Sequence, residues 1–253
     1  MVTVVAHPGK PTGLSAKDAT SLPGRRYDHF FFSGMALLLL AAVFWGFART
    51  YYLAGVFHAP LPSFVIHLHG AVFSCWILLL VTQTSLVSAG RVDIHRRLGI
   101  AAFALACLMV ILGVVAGTDS LLRNAGPPGR DAQAFYIVPL TDMVIFATLI
   151  YFAFRTRTNP TVHKRLILIA TIGLSIAAIA RWPMVHRTPG KAAMISYIFL
   201  FLLVAYDLWS TRKVHRATLW AGAFLIFVQQ IRPFIGHTAT WHAFASWVQS
   251  LAR

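Results

Sequence analysis

One polar stripe runs along an otherwise apolar segment of this sequence. His69, Trp76 and Gln83 recur every seven residues, so on a helix they share one face, whereas His67 points to a different face. Imidazole and amide groups deep in apolar surroundings are costly unless they are paired, so the stripe should contact other helices. His69 is therefore a candidate haem ligand, metal ligand or proton relay, and His67 is a second candidate metal ligand. A histidine bonded to a neighbouring helix's carbonyl group is the structural alternative.

A second candidate centre surrounds Asp142, which lies about two turns into another apolar segment. An unpaired carboxylate there would cost several kcal/mol, so Asp142 must become neutral, pair with a cation or meet water. Arg181 and Arg232 are the available cations near the ends of two other segments, and Gln229 adds an amide. We expect a buried pair of Asp142 with one of these arginines, inside a polar pocket open to the outer side. A purely architectural ion pair is the alternative.

A histidine followed by a basic residue recurs at the start of three apolar segments. The three pairs are His95-Arg96, His163-Lys164 and His215-Arg216. A helix N-terminus beside a cation suits an anion, so a phospholipid or quinone headgroup would fit at these positions. Basic side chains that merely extend to the lipid headgroups as a topology signal would give the same pattern.

The composition assigns the chain to the membrane class. Its 253 residues are 58% hydrophobic and only 11% charged, with a mean hydropathy of +0.69. A helix needs about 20 apolar residues to cross the hydrocarbon core of a bilayer. Seven segments approach that length: Phe30 to Tyr52, Phe64 to Val87, Leu98 to Ser120, Phe135 to Phe154, Leu166 to Val185, Ala193 to Trp209 and Leu219 to Ile235. The sequence therefore predicts an all-α bundle of about seven transmembrane helices.

The basic residues predict the orientation of this bundle. With seven spans, fourteen of the 22 Lys and Arg residues fall on the side of the N-terminal segment. Because basic residues are enriched on the cytoplasmic side, we expect the N-terminus inside and the C-terminus outside a bacterial inner membrane rich in anionic lipids. Residues 1–28 hold several breakers and no long apolar core, which predicts a mobile cytosolic tail. Residues 29–253 then form one transmembrane domain.

Several function classes lack their required residues. All seven acidic residues are Asp, so neither an H-E-x-x-H protease site nor an E-x-x-H di-iron site exists. Cys75 and Cys107 both lie in apolar segments and form no C-x-x-C motif. No Lys lies in the seventh segment, which excludes a retinal Schiff base there. The basic residues lie at segment ends rather than in a patch with aromatics, which argues against nucleic acid as a partner.

One short pattern carries a resemblance. His69-Gly70, Gln83 and the run His95-Arg96-Arg97-Leu98-Gly99 resemble poorly characterised bacterial polytopic membrane proteins with an H-G, Q and H-R-x-L-G core. Some relatives of that general type are implicated in haem-copper oxidase maturation or resemble membrane b-type cytochromes. The resemblance covers about 35 residues and implies that His69, Gln83 and His95 are important positions.

These observations favour a redox-associated membrane protein that binds haem b, a quinone or a metal at the outer pocket. It would act as an electron-transfer or assembly subunit of a membrane complex, with His186 or His237 as the partner of His69. The second hypothesis is a transporter or channel for a small anion or proton-coupled solute, in which Asp142 titrates. Against it, we find no matching pair of Gly- or Pro-interrupted spans. A scaffold subunit of a larger complex is the third hypothesis.

Overall fold

The computed structural model describes residues 27–60, 62–127, 129–185 and 190–251. These ranges contain eight α-helices and no strand. The helices are α1 Asp28–Phe47, α2 Phe64–Ser88, α3 Val92–Leu122, α4 Ala132–Arg155, α5 Pro160–Ile179, α6 Lys191–Thr211, α7 Arg216–Gly236 and α8 Ala239–Ser250. A π-helical turn, Ala48–Tyr52, continues α1. Helices α1 to α7 are each long and apolar enough to cross a membrane.

Local sequence fixes where several of these helices begin. The side chain of Ser63 accepts a hydrogen bond from the backbone N–H of Ile66 and so caps α2. Asn159 caps α5 in the same way and is followed by Pro160, whose missing N–H costs nothing in a first turn. Such caps satisfy N–H groups that the helix itself leaves unpaired, so each short loop can pass directly into a new span.

Helix α5 lies at the centre of the bundle and packs against α1, α4, α6 and α7. Most of its apolar side chains are buried, whereas most of those of α2 and α3 are exposed or only partly buried. Close approach to α5 depends on Gly46 of α1, because a side-chain carbon there would overlap the backbone of Ala178. Gly113 and Gly117 of α3 likewise face Met143 and Pro139 of α4, so the G-x-x-x-G element of this span packs two helices together.

The seven predicted apolar helices are found, with three boundaries shifted by six residues. Helix α3 begins at Val92 rather than Leu98, and α5 begins at Pro160 rather than Leu166 and ends at Ile179 rather than Val185. The thickness of the hydrocarbon core determines only how long the apolar part of a helix must be. Polar residues before Leu98 can therefore extend α3 beyond its apolar part. Asp28 belongs to α1 rather than to the predicted tail, and residues 1–26 lie outside the described residues.

Consecutive spans alternate in direction, so α1, α3, α5 and α7 begin at the same end of the bundle. We call this the basic end, since most Lys and Arg residues flank it. Helix α8 lies at the other end, which we call the opposite end. There its apolar residues pack with Leu121 at the end of α3 and Tyr136 at the start of α4.

Candidate functional site

Asp142 of α4 and Arg232 of α7 form a buried ion pair. Nη1 of Arg232 donates to Oδ1 of Asp142 at 2.5 Å, and the two residues expose only 9% and 6% of their surface. The expected pair of Asp142 with an arginine is confirmed, and Arg232 is the partner. This is the single hydrogen bond that Asp142 receives from the described part of the chain. A buried carboxylate has room for several donors, so this pair is incompletely satisfied.

Gln229 lies one turn before Arg232 on the same helix and is only 4% exposed. Within the described ranges, neither its side-chain oxygen nor its side-chain nitrogen has a hydrogen-bond partner. Buried amides are normally bonded because an unmade bond costs the full desolvation of the group. Asp142, Arg232 and Gln229 are hereafter called the core site. It contains a cation, a carboxylate and an amide with spare bonding capacity.

Two helix-interior prolines flank the core site. Pro139 lies inside α4 three residues before Asp142, and Pro233 lies inside α7 directly after Arg232. Proline has no N–H, so Pro233 leaves the backbone carbonyl of Gln229 without its ordinary helical donor. Helices α4 and α7 nevertheless continue through these prolines without a break, so they are not interrupted spans, and the expectation of no matching interrupted pair is not contradicted.

Arg181 does not join the core site. It follows the end of α5 and is exposed, and its Nη1 donates to the backbone oxygen of Ala177 at 2.6 Å. Its guanidinium group lies 4.6 Å from the centre of the Phe47 ring. Being in the short segment after α5, it packs against the end of α1 instead of reaching α4. Of the predicted pocket residues, the structure brings together Asp142, Arg232 and Gln229.

The predicted cofactor stripe on α2 does not form one site. The ring of His69 packs on Phe73 at 4.0 Å, and its buried Nδ1 has no partner in the described ranges. Trp76 is structural, because its indole N–H donates to Thr171 of α5 at 3.2 Å. Gln83 is fourteen residues beyond His69, or about 21 Å along the helix. The seven-residue spacing therefore predicts one helix face for His69 and Gln83, but the two residues lie at different depths in the bundle.

The predicted histidine partners of His69 do not meet it. His237 follows the end of α7 and is exposed, and its Nδ1 donates to the backbone oxygen of Pro233 at 2.6 Å. Helix α2 packs against α1 and α3, whereas α7 packs against α4, α5 and α6. His186 lies outside the described residues. His67 is exposed beside the Tyr51 ring, and the described ranges hold no group of three or more potential metal-binding side chains.

Gln83 does have neighbours at the basic end. A side-chain carbon on Gly99 of α3 would lie 4.0 Å from its amide nitrogen, so Gln83 faces the side of α3 that carries Gly99 and His95. The ring centres of His95 and His163 are 6.5 Å apart. The side-chain oxygen of Gln83 and Nδ1 of His95 are buried, and neither has a partner within the described ranges. We call Gln83, His95 and His163 the histidine cluster.

The three predicted headgroup sites have different surroundings. Nδ1 of His163 donates to the backbone oxygen of Ala153 at 2.8 Å. Lys164 pairs with Asp28 at 2.5 Å, so its ammonium group is already neutralised inside the protein. His215 is the cap of α7, and its Nδ1 accepts the N–H of Ala217 at 3.1 Å. Two of the predicted cations remain exposed, Arg96 and Arg216.

A second buried ion pair was not predicted. Arg165 of α5 donates to Oδ1 of Asp207 of α6 from Nε at 3.0 Å and from Nη2 at 2.5 Å. Oδ2 of the same carboxylate accepts from the hydroxyl of Thr218 at 2.6 Å and from the N–H of His215 at 3.1 Å. Four donors on three residues satisfy Asp207, which marks this pair as structural.

Comparison with protein-family models, curated proteins and solved structures finds no match for this chain. The resemblance drawn from His69, Gln83 and His95 stays a prediction. The described residues contain two buried ion pairs. The carboxylate of Asp207, paired with Arg165, is fully hydrogen-bonded, whereas that of Asp142, paired with Arg232, has unused hydrogen-bonding capacity. The pair of Asp142 and Arg232, in the core site, is therefore the better candidate for a functional role.

Proposed function

We propose that this chain is a membrane transporter that carries a small anion together with a proton. The observation that supports this most directly is the core site. It pairs a buried Asp142 with a buried Arg232 on facing spans and places the unpartnered amide of Gln229 one turn away. Anion transport coupled to a proton uses all three side chains of the core site.

Binding of the proton and of the anion is coupled because the Asp142 carboxylate and the anion compete for one cation, Arg232. In the structure, the Asp142 carboxylate neutralises Arg232. When a proton binds that carboxylate, the guanidinium loses its counter-charge in a low-dielectric setting, where an unpaired charge is strongly disfavoured. A monovalent anion then takes the place of the carboxylate. The site is neutral before and after, so the proton and the anion bind and leave together without net charge.

Gln229 supplies the remaining hydrogen bonds. Its amide N–H donates to an oxyanion held by Arg232, and its side-chain oxygen accepts from a hydroxyl of that ligand where the ligand carries one. Pro139 and Pro233 support movement at this place, because a proline inside a helix removes one backbone hydrogen bond and favours bending there. The ligand class is therefore a small oxyanion rather than a bulky or purely apolar solute.

The proposed setting is a bacterial cytoplasmic membrane with the basic end inside. The fourteen-to-eight distribution of Lys and Arg supports this orientation. Arg232 lies in the last two turns of α7, near the opposite end. The anion would then enter from outside, with a proton, toward a core site in the outer half of the bundle.

Proton-coupled uptake can be measured in vesicles. The purified protein is reconstituted with pyranine inside, and nitrate, inorganic phosphate or methanesulfonate is added outside at equal pH. We expect at least one of these anions to acidify the lumen. Arg232→Gln should abolish the signal, and Asp142→Asn should keep exchange of the labelled anion while moving no protons.

The matched control is the exposed pair of Asp119 and Arg123, which has the same chemistry and a separation of 2.6 Å. The double variant Asp119→Asn/Arg123→Gln should transport as the unmodified protein does. Absence of acidification with all three anions, or unchanged proton movement in Asp142→Asn, would overturn the proposal.

A redox function is the second candidate, and a different observation favours it. Three buried atoms without partners in the described ranges, on His69, Gln83 and His95, lie on α2 and α3. Nδ1–H of His95 suits a quinone carbonyl, and the side-chain oxygen of Gln83 suits a quinol hydroxyl. His69 would be the haem ligand if His186 completes the pair.

Spectroscopy and extraction test this candidate on the purified protein. Haem b would give a Soret band that shifts on reduction with dithionite. A bound quinone would appear in a solvent extract and disappear in His95→Ala. A protein with neither signal is not a haem or quinone carrier, and it would remain a transporter or a scaffold subunit of a larger membrane complex.

A further inference from the structure

Helix α8 contacts the bundle through polar as well as apolar side chains. Ser246 and Gln249 both accept hydrogen bonds from the amide of Gln133 on α4, at 3.0 and 2.8 Å. Nδ1 of His242 lies 3.1 Å from the side-chain oxygen of the same residue. These three residues follow the helical period, so they form one face that binds the protein. The polar face of α8 is thus already occupied.

The other face of α8 is apolar and uncovered. Phe244, Trp247 and Leu251 are exposed and follow at three- and four-residue spacing, so they form a single stripe. The rings of Phe244 and Trp247 lie 5.9 Å apart. The helix itself carries no Lys, Arg, Asp or Glu. An uncharged helix with an exposed aromatic stripe is poorly suited to bulk water.

Length excludes a further crossing of the membrane. Helix α8 has 12 residues, or about 18 Å, against about 30 Å of hydrocarbon. It also begins two residues after the end of α7, whose last turns expose Phe234 and Ile235. The stripe therefore continues an apolar surface that, on a span, faces lipid.

We propose that α8 lies flat in the membrane interface at the opposite end, with the stripe of Phe244, Trp247 and Leu251 inserted among the lipids. Large aromatic side chains favour the boundary between headgroups and acyl chains. The face that binds Gln133 then holds the end of the bundle to this interfacial helix. Because α8 is uncharged, the insertion depends on apolar contact and not on anionic headgroups.

The lipid surface is favoured over a second copy of the chain because of this continuity with α7. The inference is independent of any transport or redox activity. It makes α8 an anchor that sets the height of α4, and thus of the loop between α3 and α4, relative to the bilayer. A hydrogen bond from Gln249 to the backbone oxygen of Leu121, at 3.2 Å, extends this connection to α3.

Spin labels measure the position of α8 directly. In the full chain with Cys75→Ala and Cys107→Ala, single cysteines are placed at Phe244 and Trp247 and labelled after reconstitution in phosphatidylcholine vesicles. We expect both labels to be accessible to oxygen and protected from a water-soluble nickel chelate. Ser246→Cys is the matched control, because it lies on the same helix, is exposed and belongs to the face that contacts Gln133 rather than to the stripe. It should show the opposite preference.

Added phosphatidylglycerol should leave all three accessibilities unchanged. High nickel accessibility at Phe244→Cys and Trp247→Cys would show the stripe in water and overturn the proposal. Low accessibility to both reagents, together with spin–spin broadening between copies, would show that a second chain covers the stripe, and it would overturn the proposal equally. Two stripe positions are used so that a local perturbation at one cannot decide the result.

Discussion

Arg165 and Asp207 are joined by two hydrogen bonds across the interface of α5 and α6, and both residues are buried. The second carboxylate oxygen accepts from Thr218 and from the N–H of His215 at the start of α7. One acidic side chain therefore ties three helices together at the basic end. Asp142, by contrast, receives one hydrogen bond from the described residues. The two buried pairs thus differ in the role they can have.

Removing the carboxylate of Asp207 should destabilise the protein strongly. Asp207→Ala leaves the guanidinium of Arg165 buried and unpaired, which costs about 3–5 kcal/mol in comparable sites. Unfolding in mixed micelles with increasing SDS measures this loss. The control is Asp93→Ala, which removes an exposed pair with Arg91 worth about 0–1 kcal/mol. Equal, small losses in the two variants would contradict a structural role for Asp207.

Gly46 and Gly34 of α1 should respond differently to the same substitution. A methyl group at Gly46 would meet the backbone of Ala178, which no change of rotamer can move aside, whereas Gly34 has nothing within 4 Å. Gly46→Ala should therefore separate α1 from α5 and cost about 1–3 kcal/mol. Gly34→Ala should be neutral or stabilising by up to about 1 kcal/mol. Thermal unfolding in detergent distinguishes them, and a stable Gly46→Ala variant would contradict this packing.

The sequence allowed the spans and the core site to be predicted because both follow from the cost of polar groups in lipid. Seven apolar segments of sufficient length must cross the membrane, and a carboxylate such as that of Asp142 must pair with a cation. The pair of Arg165 and Asp207 does not follow from the same argument. Arg165 directly precedes Leu166, the first residue of the predicted fifth span, so the sequence places it outside the apolar segment. Asp207 lies close to the end of α6.

The stripe of His69, Trp76 and Gln83 on α2 shows a second limit of prediction from the sequence. The seven-residue spacing of His69 and Gln83 predicts that both lie on one helix face, but a shared face does not bring two residues to the same depth. About 21 Å of helix separates them, so they belong to different ends of the bundle. Which helices surround each end depends on packing around α5, which a single sequence does not reveal.

His215 should make stability depend on pH. Burial lowers the pKa of its imidazole below the ordinary value of 6.5, and the charges of Arg165 and Lys164 lower it further, while Asp207 acts in the opposite direction. The unfolded chain therefore binds a proton more readily than the folded one, and stability falls as the pH decreases through 6.5. Protonation of Nδ1 would also remove the acceptor for the N–H of Ala217.

The comparison of His215→Asn with the unmodified protein isolates this effect. Asparagine keeps a capping oxygen at the start of α7 but does not titrate. Between pH 7.5 and pH 5 we expect the SDS midpoint of the variant to fall less than that of the unmodified protein. Parallel curves for the two proteins would assign the pH dependence to another group.

The orientation of the bundle is tested by labelling two loops at opposite ends. Ala125 lies between α3 and α4 at the opposite end, Thr158 lies between α4 and α5 at the basic end, and both are exposed. Neither substitution to cysteine changes the number of basic residues, so the topology signal is preserved. In the background without Cys75 and Cys107, a membrane-impermeant maleimide should label Ala125→Cys in intact cells. Thr158→Cys should react only after the membrane is permeabilised. The reverse pattern would place the basic end outside, and the core site would then face the cytoplasm.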